Sequence, residues 1–82
     1  MNNSPVKSEL YVALEMVELT QFLPFTNKAN SLYQKACNLN ESSGCYNLGY
    51  NYKHGLGLSK DINKAKSLYD KACRLGVKQA CN

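Results

Sequence analysis

The sequence has no tryptophan, one histidine, two prolines and no two adjacent Lys or Arg residues in 82 positions. Each scarcity excludes something. His54 alone cannot supply the usual ligand set of a zinc hydrolase, which gathers several His, Cys or carboxylate donors in one cluster. Without a run of basic residues, the net charge of +4 gives solubility and weak steering toward acidic partners rather than a nucleic-acid footprint. No apolar stretch approaches the roughly 18 residues of a membrane-spanning helix, so neither nucleic acid nor membrane is an expected partner. No Cys-x-x-Cys pair is present, which argues against dithiol redox catalysis. Nothing in the residue pattern calls for a cofactor.

What the chain does have is a repeat. The stretch LYQKACNLNESSGC, Leu32 to Cys45, returns 36 residues later as LYDKACRLGVKQAC, Leu68 to Cys81. Asn27-Lys28-Ala29 likewise returns as Asn63-Lys64-Ala65. A fixed period between 20 and 50 residues is the mark of a solenoid stacked from small helical units. With 44% hydrophobic and 20% charged residues, the composition is that of a folded chain rather than a disordered one.

The four cysteines follow the repeat, as Cys37 and Cys45, then Cys73 and Cys81. Four cysteines allow three pairings, and sequence alone does not formally choose between them. The duplicated spacing favours 37 with 45 and 73 with 81, because one local geometry then serves both copies. A zinc cluster and four reduced packing cysteines remain open alternatives, although zinc sites usually space their pairs two to four residues apart. Disulfides imply an oxidising compartment, so a secreted or periplasmic location is expected. The opening MNNSPVKSELYVAL carries neither an apolar h-region nor a cleavage site, which leaves a removed leader or an intracellular site as the two ways to read it.

Hydrophobic periodicity predicts four helices. In the first, Ser8 to Gln21, the apolar positions Leu10, Ala13, Leu14 and Val17 recur at helical intervals. Pro24 interrupts, among Phe22, Leu23 and Phe25. The second runs from Thr26 to about Leu39 and buries Ala29, Leu32, Tyr33, Ala36 and Cys37. Ser43 is the expected N-cap of the third, which carries Cys45, Leu48, Gly49 and Tyr52. A glycine inside a helix costs about 1 kcal/mol relative to alanine, so Gly49 marks either a close helix crossing or a tolerated defect. Gly55 and Gly57 end that helix. Asp61 is the expected cap of the fourth, Ile62 to Leu75, whose face of Ile62, Ala65, Leu68, Tyr69, Ala72 and Cys73 copies the second. Projected back by one period, Leu10 aligns with Tyr46 and Leu14 with Tyr50.

Together Leu48-Gly49, Tyr52, Gly55, Gly57-Leu58, Asp61, Lys64-Ala65, Tyr69, Lys71-Ala72, Gly76 and Ala80 resemble the Sel1-like repeat, a relative of the tetratricopeptide repeat. The added cysteines, in KAC(x)LN(x)3GC and KAC(x)LG(x)3AC, are similar to those of the Helicobacter cysteine-rich proteins. The resemblance implies disulfides from the closing helix of one repeat to the opening helix of the next, Cys37–Cys45 and Cys73–Cys81. It implies an exported protein that acts as an adaptor, or one that binds or weakly hydrolyses β-lactams. The expected fold is all-α, an α/α solenoid of two Sel1-like helix pairs, disulfide-stapled, with a divergent first helix. Residues 1–82 should form a single domain with repeats at about 8–43 and 44–79.

Two functional readings compete. As a binding module, a monomer, the chain should contact a protein or peptide through Tyr46, Asn47, Tyr50 and Asn51 on the third helix, with Lys53 steering an acidic segment. Tyrosine covers area at low entropic cost, and asparagine adds adaptable hydrogen bonds. Packing of those tyrosines into the core is the plainer reading of the same residues. As a β-lactamase, the chain should offer a serine with an activating lysine. Ser4-Pro5-Val6-Lys7 spells S-x-x-K, but no SDN or KTG accompanies it, and no catalytic residue is assigned.

Overall fold

The computed structural model describes residues 27–81 of the chain. Within them α1 spans Asn27–Asn38, α2 Ser42–His54 and α3 Ile62–Arg74, followed by a single 3-10 turn at Lys78–Ala80. No strand occurs among the described residues, and the fold is an all-α repeat. The expected first helix, 8–21, lies outside the described residues, as does Ser4-Pro5-Val6-Lys7.

The helices lie where the periodicity puts them, within one residue at most ends. Helix α2 packs on α1 and on α3, and so forms the middle of the stack. The contact surfaces mix small and large side chains: Ala29, Tyr33, Ala36 and Cys37 from α1, Cys45 and Leu48 from α2, and Leu68 and Ala72 from α3. Full burial of a side chain such as Leu48 is worth about 1.5–3 kcal/mol. Alanines and glycines let the backbones approach closely. A Cβ placed on Gly49 would stand 3.1 Å from the Tyr69 ring and 3.3 Å from Leu68 Cβ, so this glycine marks a helix crossing. Gly44 is packed tighter still. A Cβ there would stand 2.6 Å from Ala36 Cβ and 2.9 Å from the Tyr33 carbonyl oxygen.

Helix ends show one agreement and one correction. Asp61 caps α3, its Oδ1 accepting from the Lys64 N–H at 3.0 Å. Ser43 does not cap α2; the helix begins at Ser42, and Glu41 is the N-cap. Glu41 holds that position through its backbone. Its N–H donates back to the Ala36 carbonyl at 2.8 Å, and its own carbonyl accepts from Gly44 and Cys45. Closing the turn this way starts α2 two residues earlier than a cap at Ser43 would. At the other end of α2, Gly55 and Gly57 take φ of 68° and 75°, the left-handed region where a glycine costs least.

Both disulfides form, Cys37–Cys45 and Cys73–Cys81, and no cysteine among the described residues is free. The first joins the end of α1 to the first turn of α2, the second joins the end of α3 to the residue after the 3-10 turn, and each spans a three-residue turn. One further clamp ties α1 to α2. Asn51 donates from Nδ2 to Asn30 Oδ1 at 2.7 Å, and Asn30 donates onward to the Leu56 carbonyl at 3.0 Å. Buried amides need such partners, because each unmade hydrogen bond costs about 1–3 kcal/mol.

Candidate functional site

Residues four apart on a helix share a face, and on α2 that rule lines up Tyr46, Tyr50 and His54. Tyr46 is half-buried and packs its ring on Tyr69 of α3, with centroids 5.4 Å apart and planes tilted by 43°. Tyr50 is 41% exposed. Its ring lies 4.4 Å from the His54 imidazole. Burial pushes the Tyr69 hydroxyl above the usual tyrosine pKa, and the nearby Tyr46 and Tyr50 hydroxyls push it the same way. It therefore stays a neutral donor through the physiological range. Offset and tilted ring pairs of this kind add about 0.5–1.5 kcal/mol beyond area burial.

Beside Tyr69 a cleft of about 200 Å³ opens along α3, lined by Lys53 from the end of α2 and by Lys66 and Asp70 of α3. Ile62, Ala65 and Ala80 add its apolar lining. Four of the five residues expected to bind a partner, Tyr46, Asn47, Tyr50 and Lys53, are thus half-buried or exposed on α2. Asn51 is not on this surface. It is 2% exposed and faces α1, where its amide holds Asn30. The i, i+4 step from Asn47 to Asn51 does not keep the two equivalent, because α1 covers one side of α2 and the face turns inward there.

The sequence reading missed Tyr69 and His54 as members of the aromatic group. His54 was detectable from its spacing of four after Tyr50. Tyr69 was hidden by its equivalence to Tyr33, which is buried; only the structure shows that Tyr69 keeps an open side. Two lysines of α3 are engaged by the fold itself. Lys71 is half-buried and donates from Nζ to the Cys37 carbonyl at 2.8 Å, and Lys64 sits 5.4 Å above the Tyr52 ring. Those two cations are tied to the fold, on a broad groove of about 600 Å³ shared by α1 and α3.

No cluster of three metal-ligating side chains occurs among the described residues. The hydroxyl of Ser67, which lines the same groove as Lys64 and Lys71, donates to the Asn63 carbonyl rather than to an amine. Two tyrosine rings, the Asn47 amide and Lys53 thus stand accessible on α2, beside the cleft along α3.

Comparison with known proteins gives two findings. A Helicobacter pylori protein (strain J99 / ATCC 700824) named "Putative beta-lactamase HcpC" is 46% identical over 35 residues, which is 43% of this chain and 12% of that protein. The present chain therefore spans only a small part of that relative. The Sel1 repeat profile matches residues 26–41 and 42–77, the first covering α1 and its turn, the second covering α2 and α3 together. With more than half of its length matched by that profile, the chain belongs to the Sel1 repeat family.

Proposed function

We propose that the chain is a protein- or peptide-binding module whose contact surface is the tyrosine-rich face of α2. Tyr46, Asn47, Tyr50 and Lys53 form it, with Tyr69 and His54 completing the ring cluster. The observation that carries this reading is the exposed Tyr50 ring, packed against the His54 imidazole one helical turn from the Tyr46–Tyr69 pair. A pre-positioned ring loses little freedom on binding, and such rings dominate contact energetics. Lys53, with Lys66 in the same cleft, favours an acidic partner segment. The two disulfides suit an exported, cysteine-rich protein, and a secreted or periplasmic location belongs to the same proposal.

The test is selection of ligands from a peptide library by the whole oxidised chain, followed by titration of Tyr50→Ala and Lys53→Glu. Each should weaken binding about tenfold or more, with circular dichroism and melting unchanged because both side chains are exposed. Full affinity in both variants would remove this face from consideration. A β-lactam-interacting role is the second reading, and the name of the Helicobacter relative is what favours it. Turnover of a chromogenic cephalosporin by the purified chain, abolished by one folded single-residue variant, would replace the binding module with that reading.

A further inference from the structure

Helices α1 and α3 each pack on α2 and have no extensive contact with one another. The groove of about 600 Å³ between them shares no lining residue with the cleft beside Tyr69. On α3 the positions 64, 67, 71 and 74 step by three and four, so they form one row along the helix. Lys64, Lys71 and Arg74 occupy three of these positions, and all three line the groove. From Lys64 to Arg74 the row covers about 15 Å of helix.

These cations are held by groups that do not cancel their charge. Lys71 donates to the Cys37 carbonyl at 2.8 Å, and Lys64 sits 5.4 Å above the Tyr52 ring. A carbonyl and a ring position an ammonium without neutralising it, and Lys71 keeps two further N–H donors. Arg74 is exposed. Among the described residues Asp61 alone brings a carboxylate to the groove, and it accepts from the Lys64 N–H at 3.0 Å as the cap of α3. Three cations against one capping carboxylate leave a surface that attracts anions.

The α1 side supplies a different chemistry. Gln34 donates from Nε2 to Asn38 Oδ1 at 3.0 Å, which leaves Gln34 Oε1 to accept and Asn38 Nδ2 to donate. A peptide unit needs both, an acceptor for its N–H and a donor for its C=O. Sulfate or phosphate has no N–H to offer and would use the donor alone. An extended chain rises about 3.3 Å per residue, so a segment of about five residues matches the length of the cationic row.

We propose that the groove between α1 and α3 is a second contact surface, which takes an extended acidic peptide. Carboxylates of the peptide pair with Lys64, Lys71 and Arg74, and its backbone bonds to the Gln34 and Asn38 amides. This surface is separate from the tyrosine-rich face of α2 and does not depend on that reading.

The experiment is an NMR titration of the full oxidised chain, isotope-labelled, with a blocked peptide of alternating glutamate and serine. Saturable amide shifts along Gln34–Asn38 and Lys64–Arg74, weaker at high salt, are the expected result. The same peptide with glutamine in place of glutamate should not bind. Arg74→Glu should weaken binding about tenfold. Lys64→Gln should weaken it by a smaller factor, about two- to fivefold. Both side chains are exposed, so circular dichroism should stay unchanged. Tyr50→Ala and Lys53→Glu should leave this titration as it is, which tells failure here apart from failure of the α2 face. No saturable shift at millimolar peptide overturns the proposal. So do shifts centred on Lys53 and Lys66, or normal binding by Arg74→Glu. Equal binding of sulfate, or of an oligothymidylate of matched charge, overturns it as well, because the groove would then read charge and not a peptide.

Discussion

The turns closed by Cys37–Cys45 and by Cys73–Cys81 run through the same hydrogen bonds in different surroundings. Leu39 N–H reaches the Lys35 and Ala36 carbonyls, Asn40 reaches Cys37, and Glu41 reaches back to Ala36; one period on, Leu75, Gly76 and Val77 repeat each bond. This is the Schellman arrangement, in which a left-handed residue after the helix satisfies its last free carbonyls. The bridged Cα atoms stand 4.6 Å and 4.9 Å apart. Around the first turn, Cys37 and Cys45 are 2% and 0% exposed, and α2 continues for 13 residues over α1. Around the second, Cys73 is half-buried, Cys81 is exposed, and a single 3-10 turn follows α3 among the described residues. Backbone geometry in these turns is therefore local, whereas burial comes from the helix that continues beyond them.

The sharpest way to break this comparison is to add side-chain volume at Gly44. Two of the three atoms that its Cβ would meet are backbone, the Tyr33 carbonyl oxygen and the Cys37 nitrogen at 3.0 Å, and they cannot turn away. Gly44→Val should lose about 3 kcal/mol or more in urea denaturation. Ala80, at the same repeat position, already carries a methyl, and Ala80→Gly should lose about 1 kcal/mol or less. Similar losses would mean that the first turn is no more tightly packed than the second.

Removing each bridge as a pair separates chain entropy from packing. Both close a sequence separation of eight, so the entropic contribution is about 2–3 kcal/mol in each case. Cys37→Ala/Cys45→Ala should cost roughly 1 kcal/mol beyond that, because both sulfurs fill the core and alanine leaves a void. Cys73→Ala/Cys81→Ala should cost the entropic part alone. In the intact chain, mild reductant followed by alkylation should label Cys73 and Cys81 first, since exchange needs access to a sulfur. Equal losses and equal labelling would make the burial difference irrelevant to stability.

A subtler contrast concerns two lysines at one repeat position. Lys71 donates to the Cys37 carbonyl from a half-buried site, while Lys35 is exposed. That carbonyl also accepts from Asn40, so it is not left bare when the amine is removed. Lys71→Met should therefore cost only about 1–1.5 kcal/mol, and Lys35→Met should stay within about 0.5 kcal/mol. A silent Lys71→Met would show that this hydrogen bond contributes nothing net.

Much of this architecture was legible because repetition supplies two readings of each position. Helix spans, the Asp61 cap and both disulfides follow from patterns that act over a few residues. Gly49 was legible as a question, since a helix-interior glycine needs a reason, and the Tyr69 ring is that reason. What sequence could not carry was which copy of a repeated residue is covered. Tyr33 and Tyr69 read alike, yet one is core and the other edges a cleft. Asn51 looked like half of an amide patch with Asn47, but its partner is Asn30, 21 residues away, and no local pattern announces such a contact. Gly44 hid in the same way: a glycine after Ser-Ser reads as a turn, and its packing role depends on Ala36 across the crossing.

The smallest expected effect lies at Asn40, the left-handed residue of the first turn, whose counterpart in the second is Gly76. Asn40 has φ of 64°, inside the left-handed region that asparagine visits more readily than other side chains. Replacing it by glycine relieves a small backbone strain but adds freedom to the unfolded chain, and these two effects oppose each other. Asn40→Gly should therefore stay within about 0.5 kcal/mol of the parent. Gly76 has φ of 112°, beyond the left-handed well, and a Cβ there would meet nothing within 4 Å. Any loss in Gly76→Asn must then come from the backbone itself, and about 1–2 kcal/mol is expected as the residue is forced from its preferred region. Urea midpoints at constant m-value measure both. If Gly76→Asn proves as neutral as Asn40→Gly, the second turn relaxes into the geometry of the first, and the two turns differ in burial alone.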